Sequence, residues 1–159
     1  MPDGVVVYNP PDAHRSFSSV YTDSATGEVW SSSMLDSASA WAPVEIITGD
    51  EPWMKLDLDM SMYIAGIVVQ GSGSYQEWVT EVKIETSVDN VSWTIAFDTT
   101  AASQDTDTFV HIYFPTLIRA RYVRITPLGF ETKPAMRAGV LQNPGVCRAL
   151  TPTLPYCIP

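Results

Sequence analysis

The segment 72–77 carries the side chains of this chain that are best suited to hold a sugar. Tyr75 follows a glycine and a serine, which are small and leave its ring accessible, and it precedes Gln76 and Glu77. A saccharide site needs an aromatic platform beside planar polar groups that exchange hydrogen bonds with hydroxyls. The segment therefore predicts carbohydrate binding with Tyr75 at its centre, although an exposed tyrosine is also an ordinary surface residue.

Side chains that could perform acid–base catalysis are sparse. Asp57 with Asp59, and Asp105 with Asp107, are each spaced by two residues, so each pair shares one face of a strand. Solvated carboxylates explain both pairs equally well, and His111 fits a packed or surface position in an alternating strand. The sequence has no nucleophile elbow, zinc-protease motif or phosphate loop. We expect a protein that is not an enzyme.

Composition limits the partners of the chain. Its 159 residues suit one domain, and 18 acidic against 9 basic residues give a net charge of −9. This charge disfavours nucleic acid and anionic membranes, which both attract basic clusters. No apolar run approaches the roughly 20 residues of a membrane span, and the first residues lack the features of a signal peptide.

Hydrophobic periodicity predicts strands throughout. In most of the predicted strands, apolar and polar residues alternate, which is the period of a half-buried strand. Ile64–Val69 is instead continuously apolar. Asp89–Asn90 is a turn signal between two of them. The predicted strands are Trp53–Leu58, Ile64–Val69, Trp78–Ser87, Ser92–Phe97, Phe109–Phe114, Arg121–Thr126 and Met136–Leu141. Short strands separated by turns indicate a sandwich or a barrel.

Seven short motifs together resemble a known family. They are SAWAP at 39–43, WMKLD at 53–57, GIVVQG at 66–71, WVT at 78–80, TSVDNVSW at 86–93, ARYVRITP at 120–127 and AMR at 135–137. In this order and spacing they resemble a discoidin domain, the module also found as the C domains of coagulation factors V and VIII. The resemblance implies an all-β, antiparallel, jelly-roll-like β-sandwich or distorted barrel with three protruding loops at one end.

The resemblance also divides the chain and assigns its core. It implies an irregular N-terminal entry at 1–11, a discoidin-like domain at 12–147 and a proline-rich tail or linker at 148–159. The alternation of its strand, which points inward at Val82 and Ile84, predicts that Trp78 points inward as well. Three arginines of the family motifs are expected to pair with carboxylates: Arg121, Arg124 and Arg137. The predicted core consists of Trp41, Trp53, Trp93, Ile67, Val69, Val82, Ile84, Val123 and Ile125.

The three loops that the resemblance implies are Thr22–Val29, Val44–Pro52 and Ser72–Glu77. Asp23 and Glu28 of the first loop, together with Trp30, are expected to join the third-loop residues in one ligand site, although Trp30 fits a core position equally well. Ile46 and Ile47 of the second loop are apolar but stand among acidic residues. Such a wedge would be repelled by anionic headgroups, so phospholipid binding is not expected.

A structural calcium ion is a further implication of the resemblance. The loop before the Ala-Trp motif contains Asp36 and Ser39, whose oxygens suit a hard cation. An acidic residue that relatives place after the Met-Arg motif is missing, because Ala138 stands there. The alternative role of Asp36 is to cap a turn with its side chain.

The two cysteines, Cys147 and Cys157, lie close together near the C-terminus. The resemblance implies a disulfide between the first and last strands, but this chain has no cysteine near its start. We predict that Cys147 pairs with Cys157 instead, and two free thiols are the alternative.

These observations together predict an extracellular or secreted recognition module that supports adhesion. The leading hypothesis is carbohydrate binding at the three-loop end. The alternatives are binding of an extracellular-matrix or cell-surface protein through the same loops, and a purely structural module that positions its neighbours.

Overall fold

Antiparallel strands build this protein, for which a computed structural model describes residues 4–44 and 51–145. A short 3-10 turn, Asp12–His14, connects the first two strands. The strands of this part of the chain are β1 (Val6–Tyr8), β2 (Arg15–Phe17), β3 (Met54–Gln70), β4 (Trp78–Ser87), β5 (Thr94–Ala101), β6 (Val110–Glu131) and β7 (Arg137–Gln142). Strand β1 lies within the predicted N-terminal entry, and the proposed domain limits stay a prediction.

The strands form one antiparallel sheet in the order β1-β7-β3-β6-β4-β5, with β2 also paired to β3. The long β3–β6 pair is interrupted between Asp57 and Met62, where Asp59 adopts a positive φ of 69°. One hydrophobic cluster contains residues from both halves of this ribbon, such as Leu56 and Ile67. The sheet is therefore folded over its own core, which confirms the antiparallel β-sandwich.

Most of the predicted core residues are buried. Trp41 has no exposed surface, stacks on Phe17 with ring centroids 5.5 Å apart, and donates its indole N–H to the carbonyl of Ser19 at 2.9 Å. Because the indole N–H has a hydrogen-bond partner, the whole side chain of Trp41 can be buried without an unsatisfied donor. The other predicted core residues that are at most 1% exposed are Ile67, Val69, Val82, Ile84, Val123 and Ile125.

The prediction was wrong for Trp53 and Trp93, which are only partly buried. Side chains alternate along a strand, so Trp53 shares its face with Lys55 while Met54 and Leu56 fill the core. Trp93 lies in the turn before β5, where the guanidinium of Arg124 stands 4.3 Å from its ring centroid. Both tryptophans therefore belong to the outer face of the sheet.

A β-bulge explains why Trp78 is not a core residue either. The pairing of β4 with β6 shifts register on both sides of Glu81. An extra residue reverses the direction of the preceding side chains, so Val79 is buried and Trp78 is partly exposed. The side chains of β4 point into the core as expected only after the bulge, at Val82 and Ile84.

The expected pairing of the arginines with carboxylates is confirmed. Arg121 binds both oxygens of Asp57, at 2.8 and 3.0 Å, and Arg124 binds Glu85 at 2.9 Å. These pairs stay partly exposed, so each is expected to contribute at most about 1 kcal/mol. Within residues 4–44 and 51–145, no helix is long and apolar enough to cross a membrane.

Candidate functional site

The first loop is a tight turn organised by Asp23. Its backbone N–H donates to the carbonyl of Glu28 at 2.9 Å, and its carboxylate accepts the N–H groups of Ala25 at 2.8 Å and Thr26 at 2.9 Å. These hydrogen bonds, that of Thr26 first, lower the pKa of Asp23. Asp23 therefore shapes the loop and keeps its negative charge there.

The third loop presents Tyr75 at the surface. The N–H of Ser72 donates to the carbonyl of Glu77 at 3.0 Å, and the hydroxyl of Ser72 accepts the N–H of Tyr75 at 3.0 Å. The ring of Tyr75 is 46% exposed and Gln76 is also exposed, whereas Glu77 is buried at the base of the loop. The loop thus offers one aromatic face to solvent and directs one carboxylate inward.

Tyr75 joins the first and third loops. Its ring lies 5.0 Å from that of Trp30, tilted by 31°, and its hydroxyl donates to the carboxylate of Glu28 at 3.2 Å. This hydrogen bond is the largest of the influences that raise the pKa of Tyr75. The structure thus brings four of the predicted residues to one place: Glu28, Trp30, Tyr75 and Glu77.

Two residues at this place were not predicted from the sequence. Tyr21 meets Trp30 edge to face at 6.1 Å, and the ammonium of Lys133 lies 4.4 Å from the ring centroid of Tyr21 and 5.3 Å from that of Trp30. Lys133 also lies 3.8 Å from a carboxylate oxygen of Glu77. It precedes β7, more than fifty residues after the third loop, so no local pattern connects it to the site.

Two buried polar atoms of the site have no hydrogen-bond partner among residues 4–44 and 51–145. They are the indole N–H of Trp30, whose residue is 3% exposed, and Oε2 of Glu77, whose residue is 8% exposed. Both atoms are themselves closed to solvent, and a buried polar group without a partner is costly. Burial raises the pKa of Glu77, and the nearby Lys133 partly opposes this effect.

The buried Glu77 predicts a pH-dependent stability. Its pKa in the folded protein is raised above 4.5, so its stabilising contribution is full below that pH and is lost as the pH rises through the folded pKa. Glu77→Gln removes this loss. We expect the melting temperature of the variant minus that of the native protein to be more positive at neutral pH than below pH 4.5. A difference that does not change with pH would contradict this prediction.

Arg137 holds the loops beneath the site. Its buried guanidinium donates to the carbonyls of Gly71 at 2.9 Å, Ser37 at 2.8 Å and Thr106 at 3.0 Å, and to the carboxylate of Asp107 at 2.8 Å. A polar depression of ≈ 270 Å³ lies above it, bordered by the third loop and by the loop that contains Ser37. Gly73 and Ser74 of the third loop line this depression.

The residues predicted to hold calcium are engaged in other contacts. Asp36 has a positive φ of 62°, and its carboxylate accepts the side-chain amide of Gln70 at 3.1 Å. Ser39 donates to Glu28 at 3.3 Å, and the hydroxyl of Ser37 lies at hydrogen-bond distance from the Ser39 carbonyl. The loop has hard oxygen donors, but Asp36 contributes its sole carboxylate, which is a poor fit to a calcium site.

Several predicted positions lie outside the described residues. They are Ile46, Ile47, Cys147 and Cys157. Their predicted roles in the second loop and in a disulfide stay predictions. Among residues 4–44 and 51–145, no group of three or more His, Cys, Asp and Glu side chains could hold a metal ion.

The antiparallel sandwich, with loops gathered beside Tyr75, has the architecture of a known domain family. The chain belongs to the F5/8 type C domain family, whose model matches residues 16–140. It is 33% identical over 110 residues to a discoidin-1 of Dictyostelium discoideum, a match covering 62% of this chain and 44% of that protein. The chain thus spans less than half the length of that relative.

Solved structures share the fold. Discoidin II from Dictyostelium discoideum matches with a TM-score of 0.71 and 23% identity, over 89% of this chain and 59% of that one. The family 32 carbohydrate-binding module of Clostridium perfringens NanJ, solved with galactose, matches with a TM-score of 0.60 and 14% identity, over 86% of this chain and 100% of that one.

Proposed function

We propose that this domain is an extracellular, non-catalytic module that binds carbohydrate through its first and third loops. The observation that carries the proposal is the exposed ring of Tyr75, which is tilted against the buried Trp30 and whose hydroxyl is hydrogen-bonded to Glu28. This arrangement holds an aromatic face rigidly at the surface beside a carboxylate that can accept hydrogen bonds from sugar hydroxyls.

The surroundings of the platform support a saccharide over a purely apolar ligand. The carboxylate of Glu28 accepts the hydroxyl of Tyr75 at 3.2 Å and supplies polar oxygens beside the ring. Gln76 stands exposed beside the ring. The galactose complex of the structurally similar NanJ module supports the same ligand class, and adhesion would follow if the domain forms part of a larger protein.

Replacing Tyr75 with alanine is expected to weaken saccharide binding by about 1–3 kcal/mol, or about fivefold to 150-fold. The ring provides the exposed part of the platform, so its loss removes the stacking surface while the fold stays intact. The measurement is a calorimetric isotherm for a sugar selected on a glycan array. A melting curve should show a loss of stability below about 1 kcal/mol.

The matched control is Tyr113→Ala. Tyr113 is 38% exposed, close to the 46% of Tyr75, and it also stacks on a neighbouring ring, that of His111 at 6.3 Å. It lies on β6 outside the loop site. Equal losses of affinity in both variants would place the binding surface elsewhere. An empty array together with capture of a defined matrix protein would favour the protein-binding alternative.

A further inference from the structure

We propose that Asn90 is the acceptor of an N-linked glycan that is attached during secretion, and that this glycan covers aromatic rings on the outer face of the sheet. The modification goes beyond the binding function of the loops. It rests on the proposed extracellular location of the domain.

The segment Asn90-Val91-Ser92 has the sequence of an N-glycosylation acceptor, in which a serine follows the asparagine by two residues and the residue between them is not proline. The chain has two other asparagines, Asn9 and Asn143, and each precedes a proline. Neither of those two can be an acceptor. The sequence therefore offers Asn90 alone for this modification.

The acceptor segment lies in the turn that connects β4 to β5. Residues 88–92 are all exposed, and Val91 is 81% exposed. The carboxylate of Asp89 fixes the turn by accepting the backbone N–H groups of Val91 at 2.9 Å and Ser92 at 2.8 Å. Asn90 has a positive φ of 62°, a conformation that glycine would adopt equally well. The turn alone therefore does not require an asparagine followed by this serine.

The side-chain amide of Asn90 leaves its nitrogen available for the reaction. Its Oδ1 accepts the ammonium of Lys55 at 3.0 Å, whereas Nδ2 has no hydrogen bond to residues 4–44 and 51–145. In the transfer, Nδ2 attacks the anomeric carbon of an oligosaccharide carried on a polyprenyl diphosphate. A C–N bond forms, the C–O bond to the diphosphate breaks, and the amide loses one proton. The product keeps Oδ1, so the contact with Lys55 can persist.

Two aromatic rings beside Asn90 provide a surface for the first sugars. The ammonium of Lys55 lies 5.7 Å from the ring centroid of Trp53 and 5.9 Å from that of Tyr122, and both residues are partly exposed. Because the same ammonium contacts Asn90, the amide is close to both rings. Aromatic rings offer an apolar surface on which a pyranose can pack, so the glycan would cover rings that otherwise face water.

Strand β4 separates the acceptor from the candidate ligand site. The strand begins at Trp78, directly after the third loop, and ends at Ser87, directly before the turn. Its ten residues span about 30 Å of extended chain. A glycan on Asn90 therefore leaves the ring of Tyr75 accessible, and the modified domain can still bind through its loops.

The first experiment translates the full chain behind a cleavable secretion signal in the presence of endoplasmic-reticulum microsomes. It compares the native chain with Ser92→Ala and Ser92→Thr. We expect one band of lower mobility for the native chain and for Ser92→Thr, which endoglycosidase H removes, and no such band for Ser92→Ala. Alanine keeps both Asn90 and the backbone N–H that donates to Asp89, so the turn is retained.

Peptide mass spectrometry should place the glycan on Asn90. Cleavage of the signal shows that the chain has entered the microsomes, so a processed native chain without a glycan would overturn the proposal. A glycan that persists in Ser92→Ala would also overturn it. A glycan array probed with Ser92→Ala tests saccharide binding separately, so the proposed function can stand when the modification fails.

A second comparison tests whether the glycan covers the rings. The melting temperature of the native protein minus that of Ser92→Ala is measured for proteins from a mammalian secretory host and from a bacterial cytosol, where neither chain is glycosylated. We expect this difference to be about 2–4 °C more positive for the secreted pair, the scale of one aromatic contact. The gain should vanish when both chains also carry Tyr122→Ser. Equal differences from the two hosts would overturn the covering of the rings and leave Asn90 as an acceptor.

Discussion

Replacing Arg137 with methionine is expected to lower the free energy of unfolding by about 3–5 kcal/mol. The side chain is 2% exposed and donates to three backbone carbonyls and to Asp107. Methionine keeps the apolar stem but removes the donor to the carbonyls of Gly71 and Ser37, whereas the Thr106 carbonyl still accepts the N–H of Gly73 at 2.9 Å. Each unsatisfied buried acceptor costs about 1–3 kcal/mol. Urea unfolding monitored by tryptophan fluorescence measures the loss as a shift of the midpoint at a constant m-value.

Arg121→Met is the matched control for this substitution. Arg121 binds Asp57 through two hydrogen bonds, but its side chain is 38% exposed and that of Asp57 is 31% exposed. Solvent screens this pair, so its loss should cost at most about 1 kcal/mol. Similar losses for both arginines would mean that Arg137 is not the anchor of the loops.

The position of Arg137 also links stability to the site. Its contacts with Gly71 and Ser37 join the base of the third loop to the loop before the Ala-Trp motif. Gly73 lies directly against the guanidinium, where a Cβ would come within 3.1 Å of it. The sequence motif predicted a paired arginine, but the carbonyl contacts depend on loop conformations that no periodicity encodes.

The fold was predictable because alternation is a local property. Segments such as Met54–Leu58 and Arg121–Ile125 bury alternate residues, and their period of two is visible in the sequence. Trp53 was assigned to the core wrongly because that assignment followed the family resemblance, whereas its parity with Lys55 places it on the outer face. The bulge at Glu81 leaves no comparable signal, so the direction of Trp78 could not be derived from alternation.

The candidate site was only partly predictable for a different reason. Tyr75 and Glu77 are neighbours in a loop whose composition suggests exposure, but their meeting with Glu28 and Trp30 follows from the way the sheet brings distant loops together. Lys133 has no motif at all. Its direction is set by a tight turn in which Thr132 adopts a φ of 62°, an unusual conformation for a β-branched residue.

The outer face of the sheet shows how this acidic protein shields aromatic residues that are not in its core. Lys55 lies near the rings of Trp53 and Tyr122, and Arg124 covers Trp93. Lys55 and Arg124 are register partners on adjacent strands, so their side chains lie side by side. Long cationic side chains can cover apolar surface with their stems while their charges stay in water.

This difference between core and outer face predicts unequal effects for two tryptophans. Trp41→Ala is expected to lower the free energy of unfolding by about 3–5 kcal/mol, because a fully buried ring would leave a cavity beside Phe17. The Ser19 carbonyl would also lose the indole N–H that it accepts at 2.9 Å. Chemical denaturation of the native protein and the variant measures this loss.

Trp93→Ala is the comparison, with an expected loss of about 1 kcal/mol. Its ring is partly exposed, and the described contact that it would lose is the cation–aromatic interaction with Arg124, a type of interaction that contributes about 0.5–2 kcal/mol. Arg124 keeps its hydrogen bond to Glu85 at 2.9 Å, so no buried charge is left unpaired. A loss for Trp93→Ala as large as that for Trp41→Ala would show that the outer face of the sheet is covered in solution, and that Trp93 belongs to a second buried layer.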